Sequence, residues 1–223
     1  MTVLVLSGSL GTTRAMWDPV VPLLKKRYDV LAYDHPGHGE SPAGARTIEG
    51  LAGFALEQLP ARFDFCGISL GGMVGIWIAA NVPERVERLV LCCTAPRFAP
   101  PENWQQRADL VRAEGMEPLV DMLLERWFTP EFPHRERVRR MLLDMSPEGY
   151  ARCCEAIRDA DLRPELARIE APTLVVSGSD DPAVSAEDTK LLATIRAARV
   201  AELRGRHLAP VERAEEFAEL LTA

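Results

Sequence analysis

One short stretch limits what this chain can become. An apolar lead containing Phe63 and Phe65 runs into Gly67-Ile68-Ser69-Leu70-Gly71, and a helix-length apolar segment from Met73 to Ala80 leaves it. The order is strand, sharp turn, helix, with a serine at the apex. The glycines flanking the serine suit a turn whose central backbone is strained and whose helix packs close to the strand. Such a turn lifts the serine Oγ out of the sheet. It also aims the first helix amides at whatever the serine attacks. A glycine-rich turn with a bystander serine shares this local pattern, so residues elsewhere must decide between the two.

The rest of the chain alternates in type. Val3 to Leu6 is an unbroken aliphatic run, the pattern of a buried parallel strand. After the small-residue loop 7–13, residues 16–26 read as a helix made irregular or late-starting by Pro22. A strand is expected over 29–33, then a loop dense in turn formers from Asp34 to Pro42. A helix over 47–59 with Thr47 as its cap, a strand over 63–66, a helix over 70–81 and a strand over 86–92 follow. From Arg97 the texture changes. Val111, Leu119, Leu123, Trp127 and Met141 recur at helical spacing among arginines and glutamates, with no strand-like run before Thr173. A strand over 173–177, a helix over 186–194, a strand over 199–203 and a last helix over 211–221 complete the reading. Alternation of this kind predicts a mostly parallel α/β sheet covered on both faces. Residues 1–96 and 171–223 form the expected core, and 97–170 a helical cap or lid.

Composition excludes several function classes. The 223 residues carry a net charge of −7, which argues against nucleic acid as a partner; an anionic substrate would need a local basic spot. No apolar run approaches membrane-spanning length, and the apolar start Met1–Ser7 reads as a strand rather than a signal peptide. The five cysteines, Cys66, Cys92, Cys93, Cys153 and Cys154, are odd in number and lack metal spacing. They read as reduced thiols of a cytoplasmic protein. No metal cluster and no cofactor motif is apparent, and His134 lacks a partner set.

A serine hydroxyl needs a base beside it, and the base needs an orienting group. With a serine on such a turn, the acid and then the histidine come later in the chain. Of four histidines, His207 alone follows a late strand and precedes the last helix. Asp181 and Asp180 end the strand over 173–177, where carboxylates point into the ligand crevice of a parallel sheet. Asp181 is favoured as the acid, with Asp180 as the fallback. An oxyanion hole needs two backbone N–H groups. Leu70 follows the serine, and Leu10, with Ser9 beside it, lies in the loop after the first strand. That loop lacks the lysine of a phosphate-binding loop. His35 and His38 read as structural members of a tight loop.

Larger blocks then carry a resemblance. Ser9-Leu10-Gly11-Thr12-Thr13 with Met16-Trp17-Asp18-Pro19, the block Asp64 to Gly75, Arg126-Trp127-Phe128-Thr129-Pro130, and His207-Leu208 with Val211-Glu212 resemble 3-oxoadipate enol-lactonases of the α/β-hydrolase superfamily. The match spans nearly the whole chain. It implies Ser69 as nucleophile, Asp181 as acid and His207 as base. It also implies hydrolysis of 3-oxoadipate enol-lactone in the β-ketoadipate pathway of aromatic catabolism. The substrate carries a carboxylate, which Arg126 is placed to meet, with Trp127 walling the pocket. Family members usually begin with two further strands, so a sheet of about six strands is implied, with residues 29–33 at a bare edge open to a second copy of the chain. Gly8 stands where these relatives carry asparagine or histidine. Other readings on the same fold are a carboxylesterase, a carbon–carbon bond hydrolase or a cofactor-free perhydrolase. A non-catalytic binding protein is the reading from another class.

Overall fold

The computed structural model describes residues 1–42 and 44–222. The elements in chain order are β1 (Thr2–Ser7), α1 (Val21–Leu24), β2 (Tyr28–Tyr33), α2 (Ile48–Leu56), β3 (Phe63–Ile68), α3 (Leu70–Asn81) and β4 (Val86–Cys92). A helical block follows, with α4 (Pro101–Glu114), α5 (Glu117–Trp127), α6 (Arg135–Leu143) and α7 (Pro147–Asp159). The alternation then resumes with β5 (Thr173–Gly178), α8 (Ala186–Leu192), β6 (Arg199–Leu203), α9 (Ala209–Glu212) and α10 (Ala214–Thr222).

The six strands form one all-parallel sheet in the order β2-β1-β3-β4-β5-β6. Strand β3 lies near the middle, and every one of its residues is buried. Strands shielded on both faces need continuous apolar sequence, which explains the unalternating run in β1. Strand β2 lies at an edge with Val30, Leu31 and Ala32 only half-buried, where the resemblance placed it.

Helix α3 is buried along almost its whole length, so it carries apolar residues on every face. Small residues let it approach the sheet. A Cβ on Gly71 would stand 2.4 Å from the Ser7 carbonyl oxygen, and one on Gly67 would stand 2.2 Å from the Gly71 oxygen. The strand, the turn and the helix therefore fit only with glycine at both positions.

Several sequence boundaries shift, among them the end of α2, which falls at Leu56 rather than at residue 59. Residues 16–26 hold only the short α1, with Pro22 in its first turn, preceded by a 3-10 turn at Arg14–Trp17. Proline is tolerated there because the first-turn N–H has no helical acceptor. Helix α8 stops at Leu192. The last helix divides into α9 and α10 at Arg213, whose ψ of 50° leaves the helical range. The break lets Phe217 stack on Trp17, with ring centroids 6.4 Å apart, while Glu212 turns to accept from the Thr129 amide at 3.2 Å.

Candidate active site

Ser69 sits between β3 and α3 with φ 55° and ψ −113°. A non-glycine residue there costs about 1–3 kcal/mol and persists only where its surroundings impose it. They do: the Ser69 amide donates to Cys92 O at 3.0 Å, and Ser69 O accepts from Thr94 Oγ1 at 2.7 Å and from Met73 N at 3.0 Å. Sheet and helix together hold the serine in its strained turn.

Asp181 and His207 come from the loops after β5 and β6 and meet directly. His207 Nδ1 lies 2.9 Å from Asp181 Oδ2 and 3.1 Å from Oδ1, and both side chains are almost fully enclosed. The Ala183 amide donates to Asp181 Oδ1 at 2.8 Å, fixing the carboxylate. With Nδ1 committed to the carboxylate, Nε2 on the far edge of the ring remains for chemistry. Asp180 is turned elsewhere: it is exposed and accepts from Ser179 Oγ at 2.7 Å. Ser69 Oγ and His207 Nε2 do not form a hydrogen bond here. Both residues line one cavity, and catalytic hydrogen bonds are often long until a substrate is bound.

Among the described residues, neither the Leu10 nor the Leu70 amide donates to a protein acceptor. Leu10 lines the cavity, and Leu70 opens helix α3, whose first amides lack helical partners. Two buried histidines hold the Leu10 loop. The Gly11 amide donates to His38 Nε2 at 3.0 Å, which places the His38 proton on Nδ1, facing Pro36 O at 3.3 Å. His35 donates from Nε2 to Gly8 O at 3.0 Å, and the Gly71 amide donates to the same oxygen at 3.0 Å. Burial pushes His35 down to about 4, opposed by the Gly8 carbonyl. Burial and then the neighbouring His35 push His38 down to about 3. Both rings are neutral supports of this loop. Gly8 belongs to the same arrangement, because a Cβ there would stand 2.6 Å from Thr12 Oγ1.

The cavity measures about 100 Å³, with Ser69, His207 and Leu10 on its core side. Helices α4, α5 and α7 supply the other side through Trp104, Arg107, Arg126, Trp127 and Tyr150. The expected Arg126 and Trp127 are thus at the site. Arg107, Trp104 and Tyr150 are there too, and the sequence reading passed over them. One signal was available for the two arginines. Neither has an acidic residue three or four positions away, as a solvated helix face usually supplies. A larger cavity of about 330 Å³, lined by Met16, Phe128 and Met141, holds neither Ser69 nor His207. The cysteines are all buried and free. Burial first, and then the Asp181 charge, push the Cys93 thiol well above its ordinary value, and burial does the same for Cys92 and Cys153. These thiols are not poised as nucleophiles. Among the described residues no group of three or more metal-ligating side chains occurs, and no helix is long and apolar enough to cross a membrane.

A parallel sheet covered by helices, with a strained serine between its central strand and the next helix, defines the alpha/beta hydrolase class. The chain belongs to that family: the Alpha/beta hydrolase family pattern matches residues 3–220. It is 37% identical to 3-oxoadipate enol-lactonase 2 of Acinetobacter baylyi, over 96% of this chain and 85% of that protein. It is 32% identical to 3-oxoadipate enol-lactonase 1 of the same organism, over 98% and 86%. The crystal structure of the enol-lactonase from Burkholderia xenovorans LB400 superposes with a TM-score of 0.94 at 42% identity, covering 99% of this chain and 90% of that one. Relatives of this kind make the chain a carboxylic ester hydrolase.

Proposed function

We propose that this chain hydrolyses 3-oxoadipate enol-lactone to 3-oxoadipate, a step of the β-ketoadipate pathway in aromatic-compound catabolism, through Ser69, His207 and Asp181. The observation that carries the mechanism is the 2.9 Å contact between His207 Nδ1 and Asp181, which orients the imidazole on a cavity shared with Ser69. The enol-lactonase likeness over nearly the whole chain supports the choice of substrate.

In this reading His207 Nε2 takes the Ser69 Oγ proton as Oγ bonds to the lactone carbonyl carbon. The Leu10 and Leu70 amides hold the resulting oxyanion, and Asp181 stabilises the imidazolium. The tetrahedral centre collapses, the ring C–O bond breaks, and the enol oxygen takes the proton from Nε2. The freed enol becomes a ketone. Water then gives a proton to Nε2, attacks the acyl-enzyme, and releases a carboxylate and the serine. Arg126 meets the substrate carboxylate and Trp127 walls the pocket. The helical block over 97–170 is the cap of this site.

The test follows loss of enol-lactone ultraviolet absorbance with purified protein. The parental chain should turn the lactone over, and Ser69→Ala should lose several powers of ten in kcat. Parental turnover by Ser69→Ala would overturn the mechanism, and an inactive parental chain would overturn the substrate.

A further inference from the structure

We propose that Arg107 pairs with Arg126 as a two-arginine carboxylate clamp, which makes this site selective for small esters and lactones bearing a carboxylate close to the scissile carbonyl. The proposal rests on the hydrolase reading above and adds a residue and a selectivity rule to it.

The helical block pairs Arg112, Arg135, Arg139, Arg152 and Arg158 with carboxylates. Among the described residues, Arg107, Arg126 and Arg140 have no such partner, and of these Arg107 and Arg126 line the cavity that holds Ser69. Arg107 instead lies over the Trp104 ring, 4.8 Å from its centroid, and its Nη1 donates weakly to Tyr150 Oη at 3.5 Å. Arg126 Nη2 reaches Pro182 O at 3.5 Å, and its buried Nε has no partner at all. A buried N–H left without an acceptor is costly, and two guanidiniums sharing a small cavity repel. Burial and then the Arg107 charge both disfavour the charged form of Arg126. Guanidinium does not give up its proton at neutral pH, so the relief must come from an anion. The Asp181 charge acts on Arg126, but its oxygens are taken by His207 and the Ala183 amide.

Position then sets the ligand. Stacking on Trp104 fixes Arg107 and uses none of its N–H donors, only one of which makes a weak bond to Tyr150, and guanidinium binds carboxylate through two parallel N–H groups. The cavity of about 100 Å³ admits only a small ligand, and both arginines and Ser69 line it. Half-esters of short dicarboxylic acids and lactones with a carboxymethyl arm meet that limit. Hydrolysis adds a second carboxylate, so the product should bind at least as firmly as the substrate.

Two measurements test this. The first compares kcat/KM for monomethyl succinate with that for methyl 4-methylpentanoate, in which an isopropyl group replaces the carboxylate. The parental chain should favour the charged ester by about 100-fold. Arg107→Met should reduce that ratio about 10- to 100-fold, the size of a lost charge-assisted hydrogen bond, mainly through KM. Arg107→Lys should be intermediate. An unchanged ratio in Arg107→Met would overturn the proposal, as would a parental ratio near one. The second is calorimetric binding of succinate to Ser69→Ala protein, which needs no turnover. Adding Arg107→Met to that background should weaken binding at least 10-fold, and equal affinities would overturn the clamp. Succinate binding without any ester turnover would instead sink the hydrolase reading and leave the clamp standing.

Discussion

The two neutral histidines behind the Leu10 loop make a prediction about acid stability. His35 and His38 are 1% and 0% exposed, and burial holds them at about 4 and about 3. In the unfolded chain both return to about 6.5. Below that value the unfolded chain takes up protons that the folded chain refuses, so stability falls as the pH drops from 6.5 toward 4. Each pH unit in that window costs about 1.4 kcal/mol per histidine. At pH 4.5 the loss is about 2.5 kcal/mol for each ring, or about 5 kcal/mol for the pair, against a total stability of about 5–15 kcal/mol. His38→Gln isolates one ring, because the glutamine amide oxygen can accept from the Gly11 amide without titrating. Urea unfolding at pH 7.0, 5.5 and 4.5 is the assay. The variant should lose at most about 1.5 kcal/mol at pH 7, and its stability should fall about 2.5 kcal/mol less than the parent's by pH 4.5. Equal falls in the two proteins would show that His38 is already free to charge in the folded state, and the loop assignment would fail with it.

Two further substitutions probe the frame of the site. Asp181→Asn should lower kcat about 10⁴-fold by favouring the wrong His207 tautomer, whereas Asp180→Asn, on an exposed residue bonded to Ser179, should stay within a few-fold; a reversed ranking in steady-state kinetics would reassign the acid. Gly37 has φ 78°, and a Cβ there would stand 2.4 Å from Gly149 Cα. Gly37→Ala should cost about 2 kcal/mol or more, seen as a melting point about 4–8 °C lower, and an unshifted melt would refute that contact.

What the sequence disclosed depended on how local each determinant was. Gly67, Ser69 and Gly71 lie within five residues, and the constraint joining them is backbone geometry, so strand, turn and helix were all readable. The inner strands were nearly as plain, because burial on both faces favours apolar runs such as Leu4–Leu6 and Leu89–Cys92. Adjacent aspartates were harder. Asp180 and Asp181 share composition and context, and only the turn decides that one faces His207 and the other Ser179. Arg107 was harder still. On α4 it is one arginine among several, and its meaning appears only when α4 and α5 pack so that its guanidinium shares a cavity with Arg126 and Ser69. The break at Arg213 was hidden for a similar reason, since Thr129 lies 83 positions from the Glu212 carboxylate that it engages.

Sheet and helical block divide the work, and one seam joins them. The sheet's loops supply Ser69, Asp181, His207 and the Leu10 amide, while the helices supply charge and aromatic walls. At the seam, Arg126 O accepts from the His207 amide at 3.4 Å and Trp127 O accepts from the Leu208 amide at 3.0 Å. The end of α5 therefore bears both Arg126, a member of the proposed clamp, and the backbone that seats His207. A displacement of α5 that moved Arg126 would carry the His207 loop with it, so binding and proton transfer change together. Arg107 lies outside that seam, on α4, and this is why it, rather than Arg126, can separate recognition of the carboxylate from chemistry at the serine.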